Sequence, residues 1–455
     1  MSVHSNDGRT WLTKLRRISE ISKSNKEFVF NNLGHIIDFE MLRDGFNALD
    51  GKKAVGIDGM TKEEFGQDLT ANLSDILVRL RRGTYLAQPA RQVEIPKEDG
   101  SLRALAISCF GDKLVQWCFA RIVEAIFEPL FLDSSYGYRP NRNAHDALAA
   151  LVQAQSRCVN GAVVEVDLKR YFDSVPHLPL VNFLSQKIRD KRFIGNLVKL
   201  MKTTTIDVDG KVTVAEKGVP QGSILSPVLS NIYLHHVIDT WFEGLNASTF
   251  QGNCFQVRYA DDIVWVFENK EEARRFHDTL PKRLSKYELT LNADKSSIVP
   301  SGRYAIERIQ TKRLRMPTFK FVGFQLHWKR GRNGKYRPCV RPRRDRMSST
   351  LKRIRDHLKT NLNHPNHHSV LTAVSRVHQG WVRYFAVSDC QGDVWRFQHT
   401  ICVMLLGWFN RRGKRGCMNW TKLAPVLQQY RMDYTPKLYS LWSCQKVEWR
   451  QKSGA

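Results

Sequence analysis

No Cys-x-x-Cys pair occurs in this 455-residue chain, although it carries nine cysteines, at positions 109, 118, 158, 254, 339, 390, 402, 417 and 444. Several sit among apolar or aromatic neighbours, as in Trp117-Cys118-Phe119 and Ile401-Cys402-Val403. Irregular spacing in such surroundings argues against a zinc site or a disulfide framework and for free thiols in a reducing compartment. Long apolar runs are also missing, and none approaches the ~18 residues a bilayer span needs. The opening Met-Ser-Val-His-Ser-Asn-Asp-Gly lacks the charged and apolar regions of a secretory signal. A soluble, cytoplasmic protein without a membrane partner is the expectation. No internal repeat or low-complexity tract stands out.

Acidic residues are scarce. Asp plus Glu number 44 against 71 Lys plus Arg, a formal charge of +27, and the isoelectric point is near 9.9. A chain this basic calls for a polyanionic partner, with nucleic acid first among candidates. The excess is clustered: residues 311–360 hold 17 Lys and Arg against two acids, Asp345 and Asp356. Hydrophobic content of 42% is ordinary, and the length suits two or three domains.

What is present reads as α+β. Residues 68–82 carry apolar positions at helical spacing and stop at Gly83. Residues 92–107 read as a hairpin turning at Asp99-Gly100, with Lys97 and Arg103 near its tip. Helix is expected over 111–128, a strand from Ala162 ending on Asp167, and helix over 181–205, followed by a hairpin around Gly210. An amphipathic helix follows over 271–287, a single strand over Phe319–Trp328, and helices over 346–360, 367–385 and 393–410. Short antiparallel strands mixed with helices do not suggest a doubly wound parallel sheet. The change to a helical basic tail falls near residues 330–345.

Within Val257-Arg-Tyr-Ala-Asp-Asp-Ile-Val-Trp-Val-Phe267, two carboxylates sit between runs of β-branched and aromatic residues. The pattern reads as strand, tight turn, strand, with Asp261 and Asp262 at the tip. Carboxylates 4 Å apart repel by roughly 4 kcal/mol at an effective dielectric of 20. On its own the segment suits a solvated turn as well as a cation site. Asp167, in Glu165-Val-Asp-Leu-Lys-Arg-Tyr-Phe-Asp-Ser-Val175, would taken alone be a cap or an ion-pair partner. Joined with Asp261 and Asp262 it supplies the third carboxylate of a two-metal phosphoryl-transfer site.

An ordered series of motifs gives these residues context. Gly56-Ile-Asp-Gly59, Ile95-Pro-Lys-Glu-Asp-Gly-Ser-Leu-Arg103 and Ser135-Tyr-Gly-Tyr-Arg-Pro140 with Ala144-His-Asp-Ala147 come first. Asp167 with Phe172, Gly218-Val-Pro-Gln-Gly-Ser223 with Ser226-Pro227, Tyr259-Ala-Asp-Asp262, Leu291-Asn-Ala-Asp-Lys295 and Phe321-Val-Gly-Phe324 follow. Together they resemble a group II intron-type reverse transcriptase over most of the chain. The resemblance implies a right-hand polymerase: an N-terminal extension and early fingers over 1–90, fingers and an antiparallel palm sheet over 91–330, and an all-helical basic thumb, or maturase-like region, over 331–455. It implies RNA-directed DNA polymerisation on two Mg²⁺ ions (Mn²⁺ as a substitute), with a structured RNA, an RNA template, a DNA primer and cDNA, and dNTPs as partners.

The resemblance also assigns roles. Asp167 and Asp261 would be the main metal ligands, Asp262 would complete or tune the site, and Leu168 would lend its backbone carbonyl. Phe172 would place a ring under the sugar and exclude a ribose 2′-hydroxyl; without the motif it would be a core aromatic. Lys97 and Arg103 would neutralise triphosphate charge, Arg bidentately and Lys as a point charge. Gln221, between Pro220 and Gly222, would approach nucleotide or template, and Lys295 would protonate the leaving pyrophosphate. Outside the motifs, these residues would be exposed hairpin cations, a polar turn and a solvated lysine.

Trp381-Val-Arg-Tyr-Phe385, Leu406-Gly-Trp-Phe-Asn-Arg-Arg412 and Asn419-Trp420 resemble the thumb of intron-encoded enzymes, a pattern that suits RNA on one face and a helical core on the other. No Cys/His set follows residue 420, so the HNH endonuclease of some relatives is not expected, and Pro436-Lys-Leu-Tyr-Ser-Leu-Trp442 matches the family only loosely. The readings are a compact intron protein, a stand-alone antiphage defence enzyme copying a dedicated non-coding RNA, or a splicing cofactor in which polymerisation is secondary. An RNA-dependent RNA polymerase of similar architecture is a further alternative.

Overall fold

A computed structural model describes residues 10–96, 100, 102–412 and 417–443. Among them the strands are β1 (Ala90–Pro96), β2 (Leu102–Ile107), β3 (Gly161–Val166), β4 (Thr205–Ile206), β5 (Val212–Thr213), β6 (Cys254–Tyr259), β7 (Asp262–Phe267), β8 (Ser297–Ser301), β9 (Phe319–Phe321), β10 (Phe324–Arg330) and β11 (Tyr336–Pro342). They form three small sheets, ordered β2-β1-β4-β5, β6-β7-β3-β8 and β11-β10-β9, in a mixed α+β fold. No described helix is long and apolar enough to cross a membrane, and the eight described cysteines are free thiols.

The chain divides into two compact units, one comprising Met1–Arg142, Asp167–Thr249 and Asp278–Asp294, the other Asn143–Val166, Phe250–His277 and Lys295–Ala455. In the first, helix Leu69–Arg82 ends at Gly83 in the left-handed region (φ +74°), as the sequence indicates. Its apolar face and the helix Phe110–Phe127, 12 of whose 18 residues are buried, supply much of the core. Phe119 stacks on Phe193 at 4.6 Å. Two helices, His177–Ser185 and Lys191–Met201, replace the single helix expected over 181–205. Asp190 interrupts it: its Oδ1 caps the second helix at the Phe193 N–H (2.9 Å), and its Oδ2 accepts from Leu33 N–H (2.9 Å). A residue whose side chain satisfies exposed helix-end donors competes with helix continuation.

The second unit is built on the antiparallel sheet β6-β7-β3-β8. Its central strands are almost wholly buried, with Val163, Val164, Val264, Trp265 and Val266 at zero exposure, as expected when both sheet faces are covered. The strand expected over 319–328 is instead a hairpin, because Val322-Gly323 turns the chain between β9 and β10. Residues 336–342, expected to belong to an all-helical tail, form β11, and helices begin at Arg344. β11 is a sheet edge, where Pro338 and Pro342 cost no ladder hydrogen bond. Beyond it, helices Arg344–Thr360, His367–Phe385 and Gln391–Arg412 pack through Trp381 and Phe397, stacked at 3.8 Å.

Candidate functional site

In the first unit the site residues gather around the turn that opens with Asp167. Asn292 donates from its backbone N–H to the Asp167 carbonyl (2.9 Å), and Lys169 N–H donates to Thr290 O (2.9 Å). Leu168 and Leu291, between those bonds, form an antiparallel bridge of the non-hydrogen-bonded kind, so the Leu168 carbonyl points away from residues 290–292. The Asn292 side-chain amide also donates to Asp167 Oδ2 at 2.8 Å. That fixes the carboxylate's direction, a role for Asn292 that the motif alone did not suggest.

Arg170, at φ +47°, then throws the chain into the short helix Tyr171–Ser174. Tyr171 is the buried ring here, its hydroxyl donating to Ser230 O at 2.8 Å, whereas Phe172 is half-buried. The core position therefore goes to the neighbour, and the Phe172 ring keeps an accessible side. The loop from Gly218 closes over this turn, with Val219 N–H donating to Phe172 O (2.8 Å) and Gly218 N–H to Val175 O (2.7 Å). Gln221 donates through Nε2 to Asp173 Oδ1 (3.1 Å), and its carbonyl accepts from Ala106 N–H on β2 (2.7 Å). Gly222 sits at φ +107° with Ala106 O only 2.7 Å from where a Cβ would stand. Only glycine meets both demands. Arg103 lies exposed on β2, paired in register with Ile95. Lys97 lies outside the described residues.

In the second unit Asp261 and Asp262 occupy the β6–β7 hairpin, as expected: Tyr259 pairs with Asp262, and Ala260-Asp261 is the two-residue loop. Ala260 is buried at φ +57°, a left-handed conformation that costs a residue with a Cβ roughly 1–2 kcal/mol. Arg258, at zero exposure, donates from Nη1 to the Ala260 carbonyl at 3.2 Å and helps hold the turn. Asp262 Oδ2 accepts from the backbone N–H of Val322 at 2.9 Å. Val322 (φ +40°) and Gly323 (φ +82°) are both left-handed, as a type I′ turn requires, and a β-branched residue there is an outlier. Tyr384 donates its hydroxyl to Val322 O (2.6 Å), and His145 Nε2 donates to Tyr384 O (2.6 Å). Burial, with Tyr259 and Asp262 adding negative charge, pushes the Tyr384 hydroxyl up to about 12, so it stays a donor at neutral pH.

The Ala144-His-Asp-Ala147 motif thus works as an anchor in this unit: His145 holds Tyr384, and Asp146 accepts from Tyr439 OH at 2.6 Å. Tyr439 in turn bonds Ala386 and Ser388 through its backbone, so the loosely matching ending is part of the structure. Ser135-Tyr-Gly-Tyr-Arg-Pro140 is structural too, in the first unit, where buried Arg139 grips Glu128 and the carbonyls of Leu132 and Ser135. Lys295 is exposed, two residues before β8. Trp381 and Trp408 are buried, while Trp395 and Trp420 are exposed and stack on His399 between them.

Among the described residues no three His, Cys, Asp or Glu side chains are gathered as a metal centre. The carboxylates of Asp167 and Asp262 are each directed by a hydrogen bond of their own unit, from Asn292 and Val322. The donors themselves, carboxylates and one backbone carbonyl, are hard oxygens of the kind Mg²⁺ and Mn²⁺ take.

Comparison with known proteins gives this arrangement its context. The family model for reverse transcriptase (RNA-dependent DNA polymerase) matches residues 95–326, just over half the chain. The chain is 33% identical over 321 residues to protein YkfC of Escherichia coli K12, covering 63% of this chain and 79% of that protein. It is 33% identical over 227 residues to the group II intron-encoded protein LtrA of Lactococcus lactis (49% of this chain, 37% of LtrA). To the 91 kDa protein in the cob intron of Schizosaccharomyces pombe it is 32% identical over 249 residues (54% and 30%). It therefore spans about a third of the length of these two intron-borne relatives.

Proposed function

This chain belongs to the reverse transcriptase family and is an RNA-directed DNA polymerase; on that premise we propose that it extends a DNA primer with dNTPs on a structured RNA, in the manner of an intron-encoded enzyme. The fingers and palm are residues 91–330, preceded by an extension over 1–90 and followed by a thumb over 331–455. One observation carries the site: Val166, the residue before Asp167, pairs with Ile263, the residue after Asp262. The acidic positions thus adjoin partners on one rung of the β3–β7 ladder.

Asp167 and Asp261, with Asp262 and the Leu168 carbonyl, would hold two Mg²⁺ ions. When bound, such ions activate the primer hydroxyl and neutralise charge on the triphosphate. The remaining work belongs to the chain. Asn292 orients the Asp167 carboxylate, and Val322 orients that of Asp262. Phe172 bars a 2′-hydroxyl, and the Gln221 loop, fixed to Asp173 and Ala106, lies along the nucleotide. Lys97 and Arg103 bind triphosphate oxygens, and Lys295 hands a proton to the departing pyrophosphate. The intron-borne relatives favour maturase-type RNA binding, and the free thiols suit a reducing cytoplasm.

The test is Mg²⁺-dependent primer extension on an RNA template. Asp261→Asn should abolish synthesis while the thermal unfolding midpoint stays put. Retained synthesis would remove Asp261 from the site.

A further inference from the structure

In the first unit, the loop from Gly218 to Gln221 has its main chain fixed almost residue by residue. Beside the bonds from Gly218 and Val219 N–H to the Phe172 turn, buried His177 donates from Nε2 to the Gly218 carbonyl at 2.7 Å. Ser226 Oγ donates to Pro220 O at 2.7 Å, and Ala106 N–H to Gln221 O at 2.7 Å. Gly218 runs so close to the short helix Tyr171–Ser174 that a Cβ there would stand 3.0 Å from the carbonyl oxygens of Phe172 and Asp173. What the backbone leaves open is the direction of the Gln221 side chain.

One residue decides that direction. The Gln221 amide donates from Nε2 to Asp173 Oδ1 at 3.1 Å, and neither side chain bonds another of the described residues. A carboxylate accepts and does not donate when ionised, so Asp173 admits one of the two amide orientations, with Nε2 toward it and Oε1 away. A glutamine lacking such a partner divides its time among rotamers and both orientations. Asp173 is also exposed and adjacent to Phe172, where a negative charge opposes an incoming triphosphate. Its direct electrostatic effect on nucleotide binding and its effect through Gln221 are therefore opposite in sign.

We propose that Asp173 is a positioning residue for nucleotide binding, fixing the Gln221 amide in the one orientation that the loop offers to substrate. The inference rests on the reading above in which the Gln221 loop lies along the nucleotide. Asp173 acts through Gln221 and does not itself touch substrate. A contact arranged in advance spares the bound nucleotide the cost of ordering it, and serves ground state and transition state alike. Its loss therefore raises KM for dNTP and leaves kcat near its starting value. A general loosening of the Phe172 helix would instead lower kcat or the thermal unfolding midpoint.

The experiment is a double-mutant cycle in the full chain, read by single-nucleotide incorporation over a range of dNTP concentrations on an RNA template. Asp173→Ala should raise KM about fivefold, a modest figure because water competes for an exposed bond, with kcat within about twofold. Asp173→Asn keeps an acceptor of the same size and should restore KM to within about twofold of the unaltered chain. In a Gln221→Ala background, Asp173→Ala should add nothing, since residues acting through one contact are not additive. An unchanged or lowered KM in Asp173→Ala overturns the proposal, the latter because it reveals charge repulsion alone. Effects of the two alanine variants that multiply overturn it as well. If Asp173→Ala lowers the unfolding midpoint, Asp173→Leu, of similar size and without an acceptor, takes its place under the same expectations. The underlying reading fails separately: Gln221→Ala with KM unchanged removes Gln221 from the nucleotide, whereas Gln221→Ala impaired beside a normal Asp173→Ala sinks the positioning role alone.

Discussion

Removing the Tyr384 hydroxyl probes the tie that holds the Val322-Gly323 turn against Asp262. Val322 carries two bonds, donating to the Asp262 carboxylate at 2.9 Å and accepting from Tyr384 OH at 2.6 Å. Against them stands a β-branched residue at φ +40°, a conformation that costs about 1–2 kcal/mol. The bond to the charged acceptor contributes about 1.5–3 kcal/mol and the tyrosine bond about 0.5–1.5. In Tyr384→Phe the carboxylate bond alone must offset the strain, which nearly cancels the margin. The turn should open locally more often by about 1 kcal/mol, which is about fivefold, while the surrounding sheet is untouched. Hydrogen exchange read at the Val322 amide should accelerate by about that factor, with the β6–β7 ladder amides unchanged. Because Asp262 loses its fixed donor more often, primer extension should slow in kcat with little change in dNTP KM. Unaltered exchange at Val322 in Tyr384→Phe would refute the idea that the hydroxyl supports the strained turn.

Three further outcomes follow from the geometry. Asn292→Ala removes the amide that directs Asp167, and losses of about 10–100-fold in activity are usual for groups that orient a metal ligand; a Mg²⁺ titration should show the requirement raised, and normal activity at low Mg²⁺ would exclude the role. Phe172→Ala should let ribonucleotides compete, lowering dNTP-over-rNTP discrimination by at least about tenfold, equivalent to about 1.4 kcal/mol; single-nucleotide incorporation measures it, and unchanged discrimination would favour an RNA polymerase or another gate. His378 is fully buried and its imidazole is pushed down to about 4 by burial, below about 6.5 in the unfolded chain. The unfolded state then binds more protons between those values, so stability falls as pH drops from about 6.5 to 4, by roughly 3 kcal/mol in all. His378→Leu should flatten that part of the unfolding-midpoint profile, and an unchanged acid limb would exonerate this residue.

Much of the architecture is legible in local pattern. Apolar periodicity places the helix that Gly83 ends, and β-branched alternation places β6 and β7 with their acidic turn. The misread segments are those where a tertiary contact overrides local preference. Val322 is a strand former, held as a turn residue by the bond it donates to Asp262 and the one it accepts from Tyr384. The proline- and arginine-rich stretch 336–342 reads as a break in structure, yet it has β10 to pair with. Asp190 looks like one polar residue in a helix until its bonds to Leu33 and Gly34, 157 and 156 positions away, are seen. The proposed catalytic aspartates announce themselves through their motifs. Asn292, Tyr384 and His145 also lie within motifs, but what each does is set by a partner far along the chain that the motif does not disclose.

The way the two units are cut from the chain has a bearing on biosynthesis. Each takes three separate stretches of sequence, and the first lacks its closing stretch until Asp294 has been made. By then β3, β6 and β7 of the second unit already exist, but β8, which pairs with β3, does not. A ribosome adding ~5–20 residues per second therefore completes the first unit while the second still lacks Lys295–Ala455, a stretch that takes roughly 8–32 s more to make. Neither unit can be obtained by truncation, and stop codons before residue 294 should yield insoluble fragments of both.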